Sequence, residues 1–486
     1  MILKELVKGL NIIYSKGDLD IEISDIAYDS RKVKKGYLFV CIDGTKVDGH
    51  KYIPGAIENG AVALLVEKDV EVPDGITVIR IDNTRYGLAH VSDTFFKHPS
   101  EKFCLIGITG TKGKTTTTYM IKSILECAKQ KVGLIGTISN MIGSEALYTE
   151  RTTPESYDLQ SLFSEMVDKK VDSVVMEVSS QGLQLHRVSC SQYEIGVFTN
   201  ISRAHIGPRE HKNFDEYLEA KIKLFKACKK GLVNVDCLYG KEVIENAKCD
   251  ILTYGIDNEA DIRAVNIEKH PSSVRFKAVT PWGNEEIWVN IPGKFSVYNA
   301  LASIGVCALR GIPFDCIRTG LKNVSVRGRV EVIETGKDYT VMIDYAHSPD
   351  SLENILTTVK EFAPSRVVCL FGCGGDRDKT MRPMMGEISG RISDFTIITS
   401  DNPRTEDPVE IINGIEEGIK KTNGKYIKIV DRREAIKYSL MNAKPGDIII
   451  LAGKGHENYI TFKDKTIHFD EREVVKEILK EMENLE

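Results

Sequence analysis

The stretch that decides the fold is FCLIGITGTKGKTTTTYM, Phe103 to Met120. It opens with the apolar run FCLIGIT, passes through a Gly/Thr/Lys loop, and then places Met120, Ile121, Ile124 and Leu125 on one helical face. A loop between a strand and a helix turns backbone N–H groups and a helix N-terminus toward phosphate oxygens. On that reading GITGTKGKT, Gly107 to Thr115, is a phosphate loop bent through Thr109, Gly110, Thr111, Lys112 and Gly113. Lys114 would reach the terminal phosphates, and the Thr115 hydroxyl would sit on Mg²⁺. The strict pattern GxxxxGK[ST] asks for glycine at position 108, where this chain has Ile108; Gly107 comes one place early. A Gly-rich turn carrying a surface lysine is the plainer alternative.

Outward from this loop, strand-like runs are expected at Ser173–Val178 and Ile195–Thr199, and an amphipathic helix over Asp215–Lys229. From about Glu331 the rhythm is regular. Apolar runs at Thr340–Ile343, Val367–Phe371, Phe395–Thr399, Tyr426–Val430 and Asp447–Leu451 alternate with helical stretches. That βαβα order predicts a mostly parallel sheet covered by helices on both faces. The first hundred residues carry shorter β-like runs, Tyr37–Cys41 and Ala61–Glu67, between Gly/Asp turns. At about 150 residues per domain, 486 residues make roughly three domains. The expectation is an α/β chain divided at 1–100, 101–330 and 331–486: a small α/β domain, a central P-loop ATPase-like sheet and a Rossmann-like parallel sheet.

Composition excludes several classes. Lys+Arg 65 against Asp+Glu 70 gives a net charge of −5, so no global field draws the chain to nucleic acid or an anionic membrane. Eleven cysteines, an odd number without a CxxC pair, argue for reduced thiols in a cytoplasm over a secreted disulfide framework. The closest pair, Cys369 and Cys373, reads as part of one buried strand. MILKELVKGLNIIY interrupts its apolar residues with Lys4, Glu5 and Lys8, so no signal peptide is expected, and no apolar run reaches membrane-spanning length.

Two further glycine clusters, GCGGDR (Gly372–Arg377) and GKGHEN (Gly453–Asn458), follow predicted strands. Both fail the dinucleotide pattern GxGxxG at its third glycine, where Arg377 and Asn458 stand, which disfavours an oxidoreductase. Tight strand-end turns are one reading of them. Strand C-termini in such sheets are also where ligands bind.

Longer motifs make the chain resemble a known family. TGTKGKTTT is followed by RTTPES (Arg151–Ser156), EVSSQGL (Glu177–Leu183), HRV (His186–Val188) and FTNISRAH (Phe198–His205). Later come DYAHSPDSL (Asp344–Leu352), FGCGGDRDKTMRPMMG (Phe371–Gly386), SDNPRTEDP (Ser400–Pro408) and GKGHE (Gly453–Glu457). With DSRKVKKGYLFVCIDGTKVDGHKYI (Asp29–Ile53), these resemble the Mur ligases in order along essentially the whole chain.

The resemblance implies an ATP-dependent, amide-forming ligase of peptidoglycan synthesis that acts through an acyl phosphate. The small-molecule substrates it implies are ATP, UDP-N-acetylmuramoyl-L-alanyl-D-glutamate and meso-diaminopimelate. Mg²⁺ would be held by Thr115, Glu177 and His205, and by Lys221 carrying a CO₂-derived carbamate (N6-carboxylysine). ATP's base and ribose would meet Asn299, Arg329 and Asp344. Ser30 would take the uridine end, and Thr152, Thr153, Ser179 and Arg187 the muramoyl-dipeptide. The diamino acid would fall to Arg377, Asp401, Asn402, Pro403, Arg404, Gly453 and Glu457. A cytoplasmic monomer is implied, with neither nucleic-acid binding nor membrane insertion.

Taken singly, Glu177 also reads as an acid at a strand end, His205 as a cap and Lys221 as part of a solvated helix face. The hydroxyl residues also suit turn and cap chemistry. The chain departs from the family pattern at Ala204, where an Asp is usual before the metal His, and in IGPREHKNF (Ile206–Phe214) after it. It departs again at Leu185 beside Gln184, where a Gln is usual two places before Arg187, and at Ser296 in KFSVYNA. Competing readings are a lysine-adding relative, a folylpolyglutamate synthetase-like ligase, and a catalytically silent scaffold.

Overall fold

Leu105, Ile106 and Ile108 form the buried strand Cys104–Thr109, and Gly107 leaves room there for the Tyr193 ring. A strand covered on both faces needs such near-continuous apolar sequence. The computed structural model describes residues 1–44, 47–202, 206–207 and 210–484. It divides into two compact units, one of residues 1–263, 280–282 and 301–320, the other of 264–279, 283–300 and 321–486.

The first unit holds two sheets. One orders its strands Tyr14–Lys16, Thr77–Arg80, Ala61–Val66, Tyr37–Val40 and Asp25–Ala27, parallel except for the first. In the other, Cys104–Thr109 lies between Tyr193–Phe198 and Ser173–Glu177, both parallel to it. Cys228–Asn234 and Asp250–Gly255 extend the parallel run on one side, and Val132–Ile135 on the other. The two sheets share one unit for a visible reason. The hydroxyl of Tyr28 donates to Asp158, that of Tyr157 donates to Asp25 at 2.7 Å, and Tyr157 packs on the first sheet's core.

The helix expected over Asp215–Lys229 runs Phe214–Ala227, capped by the Asn213 side chain. Lys229 instead belongs to the strand that starts at Cys228, because that segment pairs in parallel with Tyr193–Phe198.

In the second unit the strands run in the order Glu331–Ile333, Thr340–Asp344, Ile448–Ala452, Val367–Phe371, Phe395–Ile398 and Tyr426–Lys428. All are parallel except the first. Register aligns Asp344 with Ala452, Ala452 with Phe371, and Phe371 with Ile398, so four motifs leave the sheet from one row. Ligands of open α/β sheets bind at such carboxyl ends, where crossovers diverge. Cys373 lies beyond its expected strand, which ends at Phe371; the chain turns there into the glycine loop, and all eleven cysteines are free thiols.

Beneath that row the fully buried Arg432 donates to Ser400 O at 3.1 Å, Ala452 O at 2.9 Å and Glu471 Oε1 at 2.9 Å. It ties two loop origins to one helix start. Burial raises the Glu471 carboxyl pKa, and Arg432 opposes that rise. Arg432→Met should therefore destabilise the fold by about 3–5 kcal/mol, because it strands a buried carboxylate. Arg432→Met/Glu471→Leu should recover most of the loss. Denaturant midpoints of the two variants check this, and equal midpoints would contradict it.

Candidate active site

The phosphate loop is held by the strand ends beside it. Thr111 N donates to Asn200 O at 2.9 Å and Lys112 N to Asn200 Oδ1 at 3.0 Å, while Thr199 Oγ1 donates to Lys112 O at 2.6 Å. A Cβ on Gly110 would lie 1.9 Å from Thr199 Oγ1, so only glycine fits this approach. Gly113, at φ +87°, caps the helix Lys114–Cys127 without any side-chain cap bond. That leaves an uncapped, positively polarised helix end at the loop. Lys114 Nζ folds over the loop, 2.8 Å from Gly110 O and 3.1 Å from Thr111 O. Thr115 is buried on the first helical turn.

Glu177, at the carboxyl end of the neighbouring strand, is 1% exposed. Its two oxygens accept from Thr137 N at 2.9 Å and Thr137 Oγ1 at 3.0 Å, and no cation pairs with it among the described residues. Thr137 Oγ1 also meets Thr152 Oγ1 at 3.0 Å. Thr153 is spent on the scaffold: its hydroxyl donates to Glu177 O at 2.9 Å and accepts from Ser179 N at 3.0 Å. Ser179 caps the helix Ser180–Gln184, and Arg187 donates to Thr153 O at 3.3 Å while pairing with Glu155. Thr152, Thr153, Glu177, Ser179 and Arg187 thus form one connected cluster. Ser30 stands apart from it on a single-turn 3₁₀ helix of the first sheet, its carbonyl accepting from Asn59.

Lys221 is fully buried, its Nζ 4.5 Å from the centre of the Tyr217 ring. Tyr217 in turn bonds Thr111 Oγ1 at 2.8 Å, which joins this helix to the phosphate loop. Burial, aided by the Lys114 charge, pulls the Lys221 amine well below the usual lysine range. His205 and Ala204 lie outside the described residues.

In the second unit the Arg329 guanidinium lies 4.9 Å from the centre of the Tyr345 ring, and Asp344 Oδ2 accepts from Val330 N at 2.9 Å. Burial raises the Asp344 carboxyl, against the lowering effect of Arg329. The His456 ring packs at a tilt on Tyr345, centres 4.7 Å apart, and is held neutral, its pKa lowered to about 4 by burial and then by nearby arginines. Asn299 is buried on the helix Lys294–Leu309.

The glycine loop, the DNPR loop and the GKGHE loop converge at the aligned row. Gly375 N donates to Asn402 O at 2.9 Å, and Asn402 Nδ2 to Glu457 Oε2 at 2.8 Å. Asn402 N donates to Asp401 Oδ1 at 2.7 Å; Asp401 Oδ2 is unpartnered and would lie 2.7 Å from a Cβ on Gly453. Arg404 adopts φ +52°, its N–H donating to Thr461 O at 2.9 Å and its guanidinium to Gly375 O at 2.7 Å. A Cβ on Gly374 would lie 3.6 Å from Arg377 Cγ and 3.7 Å from Arg404 Nη1, so both arginine side chains, Arg377 by its aliphatic stem, border the same glycine. A Cβ on Gly375 would lie 1.9 Å from Pro403 O, so Pro403 packs directly against the glycine loop.

Sequence profiles agree with this geometry. The Mur ligase middle domain matches residues 108–307, the Mur ligase glutamate ligase domain residues 328–455, and the Mur ligase family catalytic domain residues 22–95. This chain belongs to the Mur ligase family. A UDP-N-acetylmuramoyl-L-alanyl-D-glutamate–2,6-diaminopimelate ligase of Caldanaerobacter subterraneus subsp. tengcongensis is 51% identical over 99% of this chain and 100% of its own. The enzyme of that name from Clostridium botulinum is 47% identical over 99% and 100%. A solved structure of a ligase of that name superposes with a TM-score of 0.74 at 28% identity, covering 99% of each chain.

Sequence reasoning passed over several residues of this Mur ligase site: Asn200, Thr137, Tyr217 and Lys454. Asn200 and Lys454 stood inside quoted motifs, but nothing in their spacing gave them a task. Among the described residues no helix is long and apolar enough to cross a membrane.

Proposed function

We propose that this Mur ligase joins meso-diaminopimelate to UDP-N-acetylmuramoyl-L-alanyl-D-glutamate in the cytoplasm, at the expense of ATP, as part of peptidoglycan synthesis. The observation that carries the reading is the charge pattern at the aligned row. Arg404 and Arg377 border Gly374, while Asp401 and Glu457 stand on the loops beside them. That set suits a side chain ending in both a carboxylate and an ammonium. The names of the full-length relatives agree with it.

The residues divide the work. Residues 1–100 would bind the sugar nucleotide, with Ser30 at the uridine; Thr152, Ser179 and Arg187 would hold the muramoyl-dipeptide. Lys114 and the loop amides would hold the ATP phosphates, and Asn299, Arg329 and Asp344 its base and ribose. The substrate carboxylate takes the γ-phosphoryl group and ADP leaves. The acceptor amine then attacks the acyl phosphate, forms the amide and releases phosphate, with a proton lost from nitrogen. Thr115 and Glu177 fit a hard divalent cation: a hydroxyl at the loop and a buried carboxylate free of a cationic partner among the described residues. Mg²⁺ held there would neutralise phosphate charge. The diagnostic test is phosphate release. Release that requires the nucleotide dipeptide and the diamino acid together supports the reading, and release without either defeats it.

Lys221 suits carbamate formation because only a neutral amine attacks CO₂, and burial shifts this amine toward its neutral form. The product is an anion, which removes the repulsion from Lys114. Lys221→Ala should lose most activity, and added formate or acetate should restore part of it. Depleting CO₂ at mildly acidic pH should weaken the native enzyme. Intact-mass analysis of active enzyme that finds only unmodified Lys221 would overturn the assignment.

A further inference from the structure

Lys454 is fully buried where the acceptor loops meet. Its Nζ lies 3.4 Å from Asn402 Oδ1, 3.4 Å from Glu457 Oε2 and 5.6 Å from the centre of the Tyr459 ring. Asn402 Nδ2 donates to that same Glu457 oxygen, so the three side chains close a ring. The Thr461 N–H pins Asn402 Oδ1 from the other side at 2.9 Å. Burying an ammonium is costly, and an apolar chain of equal length would pack as well if packing were its only role.

The charges around the ring suggest what Lys454 does. Lys454 pairs with Glu457, and Arg432 pairs with the buried Glu471. Asp401 Oδ2 and Glu471 Oε2 have no hydrogen-bond partner, and Asp401 is only 8% exposed. Asp401 Oδ2 faces the space that Gly453 leaves open, so a buried carboxyl oxygen without a donor borders the place where the loops meet.

We propose that Lys454 is a positioning residue for the acceptor: it fixes the Glu457 carboxylate and the Asn402 amide in one arrangement, so that they are in place to meet the acceptor's distal ammonium. This rests on the acceptor reading above. Without Lys454, Glu457 keeps only the Asn402 bond of the ring, and its carboxylate is free to turn away from the acceptor.

The test measures KM for all three substrates in wild type, Lys454→Met, Glu457→Gln and the double variant. Lys454→Met should raise KM for meso-diaminopimelate roughly 10- to 100-fold, with KM for ATP and the nucleotide dipeptide unchanged. Adding Lys454→Met to Glu457→Gln should cost little more. The double variant removes one charge of each sign, so it should fold even if the single one does not. An unchanged acceptor KM overturns the proposal, as does a parallel rise in all three KM values or an equal loss in the Glu457→Gln background. A wild type that ignores the diamino acid defeats the acceptor reading itself, which is a separate result.

Discussion

Lys114→Ala should abolish turnover while leaving the fold intact. The ammonium lies on two carbonyls of its own loop, Gly110 O and Thr111 O. These it can exchange for phosphate oxygens without moving the backbone. The loop's shape does not depend on it, because Asn200 and Thr199 hold Thr111 and Lys112 by four bonds of their own. Two anions must meet in the phosphoryl transfer, and a preorganised cation there is worth about 10²–10³ or more in kcat. The measurement is kcat in the purified variant beside its melting temperature. A variant retaining more than about a tenth of wild-type activity would show that another group carries the phosphate charge.

The second large effect concerns Arg404. Meso-diaminopimelate differs from lysine by one distal carboxylate, and a guanidinium pairs with a carboxylate through two parallel hydrogen bonds. Arg404 is aimed by its backbone: a left-handed residue fixed to Thr461 O, with the guanidinium steadied on Gly375 O. With lysine bound, that charge would be desolvated and unanswered. Sites built around a polar partner reject its absence by about 10⁴-fold or more. We expect kcat/KM to favour meso-diaminopimelate over L-lysine by about that factor in wild type, and Arg404→Ala to erase most of the preference. A wild type that prefers lysine, or a variant with its selectivity intact, would sink the assignment.

The parallel sheets were legible because buried strands need continuous apolar runs, and Val367–Phe371 appears residue for residue as the sequence suggests. The boundary of the helix at Ala227 was not, because Cys228–Asn234 is a strand by virtue of its pairing with a distant segment. Cys373 looked like strand interior because it is apolar and buried, yet its burial comes from a loop that folds against Met385. In the site, glycines and lysines announce phosphate chemistry locally. The hydroxyl of Thr153 looked available for substrate, whereas three-dimensional pairing commits it to Glu177 O and Ser179 N. Lys454 was hidden for the opposite reason: a lysine between two glycines reads as surface, and only the fold seals it from water.

The row formed by Asp344, Ala452, Phe371 and Ile398 also bears on how such an enzyme can change over generations. The strands end level, braced from below by Arg432, so their geometry does not depend on the identity of the loop side chains above. A descendant could trade one acceptor for another by replacing residues such as Arg404 or Arg377 and leave every strand pairing untouched. Innovation at that edge would be cheap in stability and confined to a few codons.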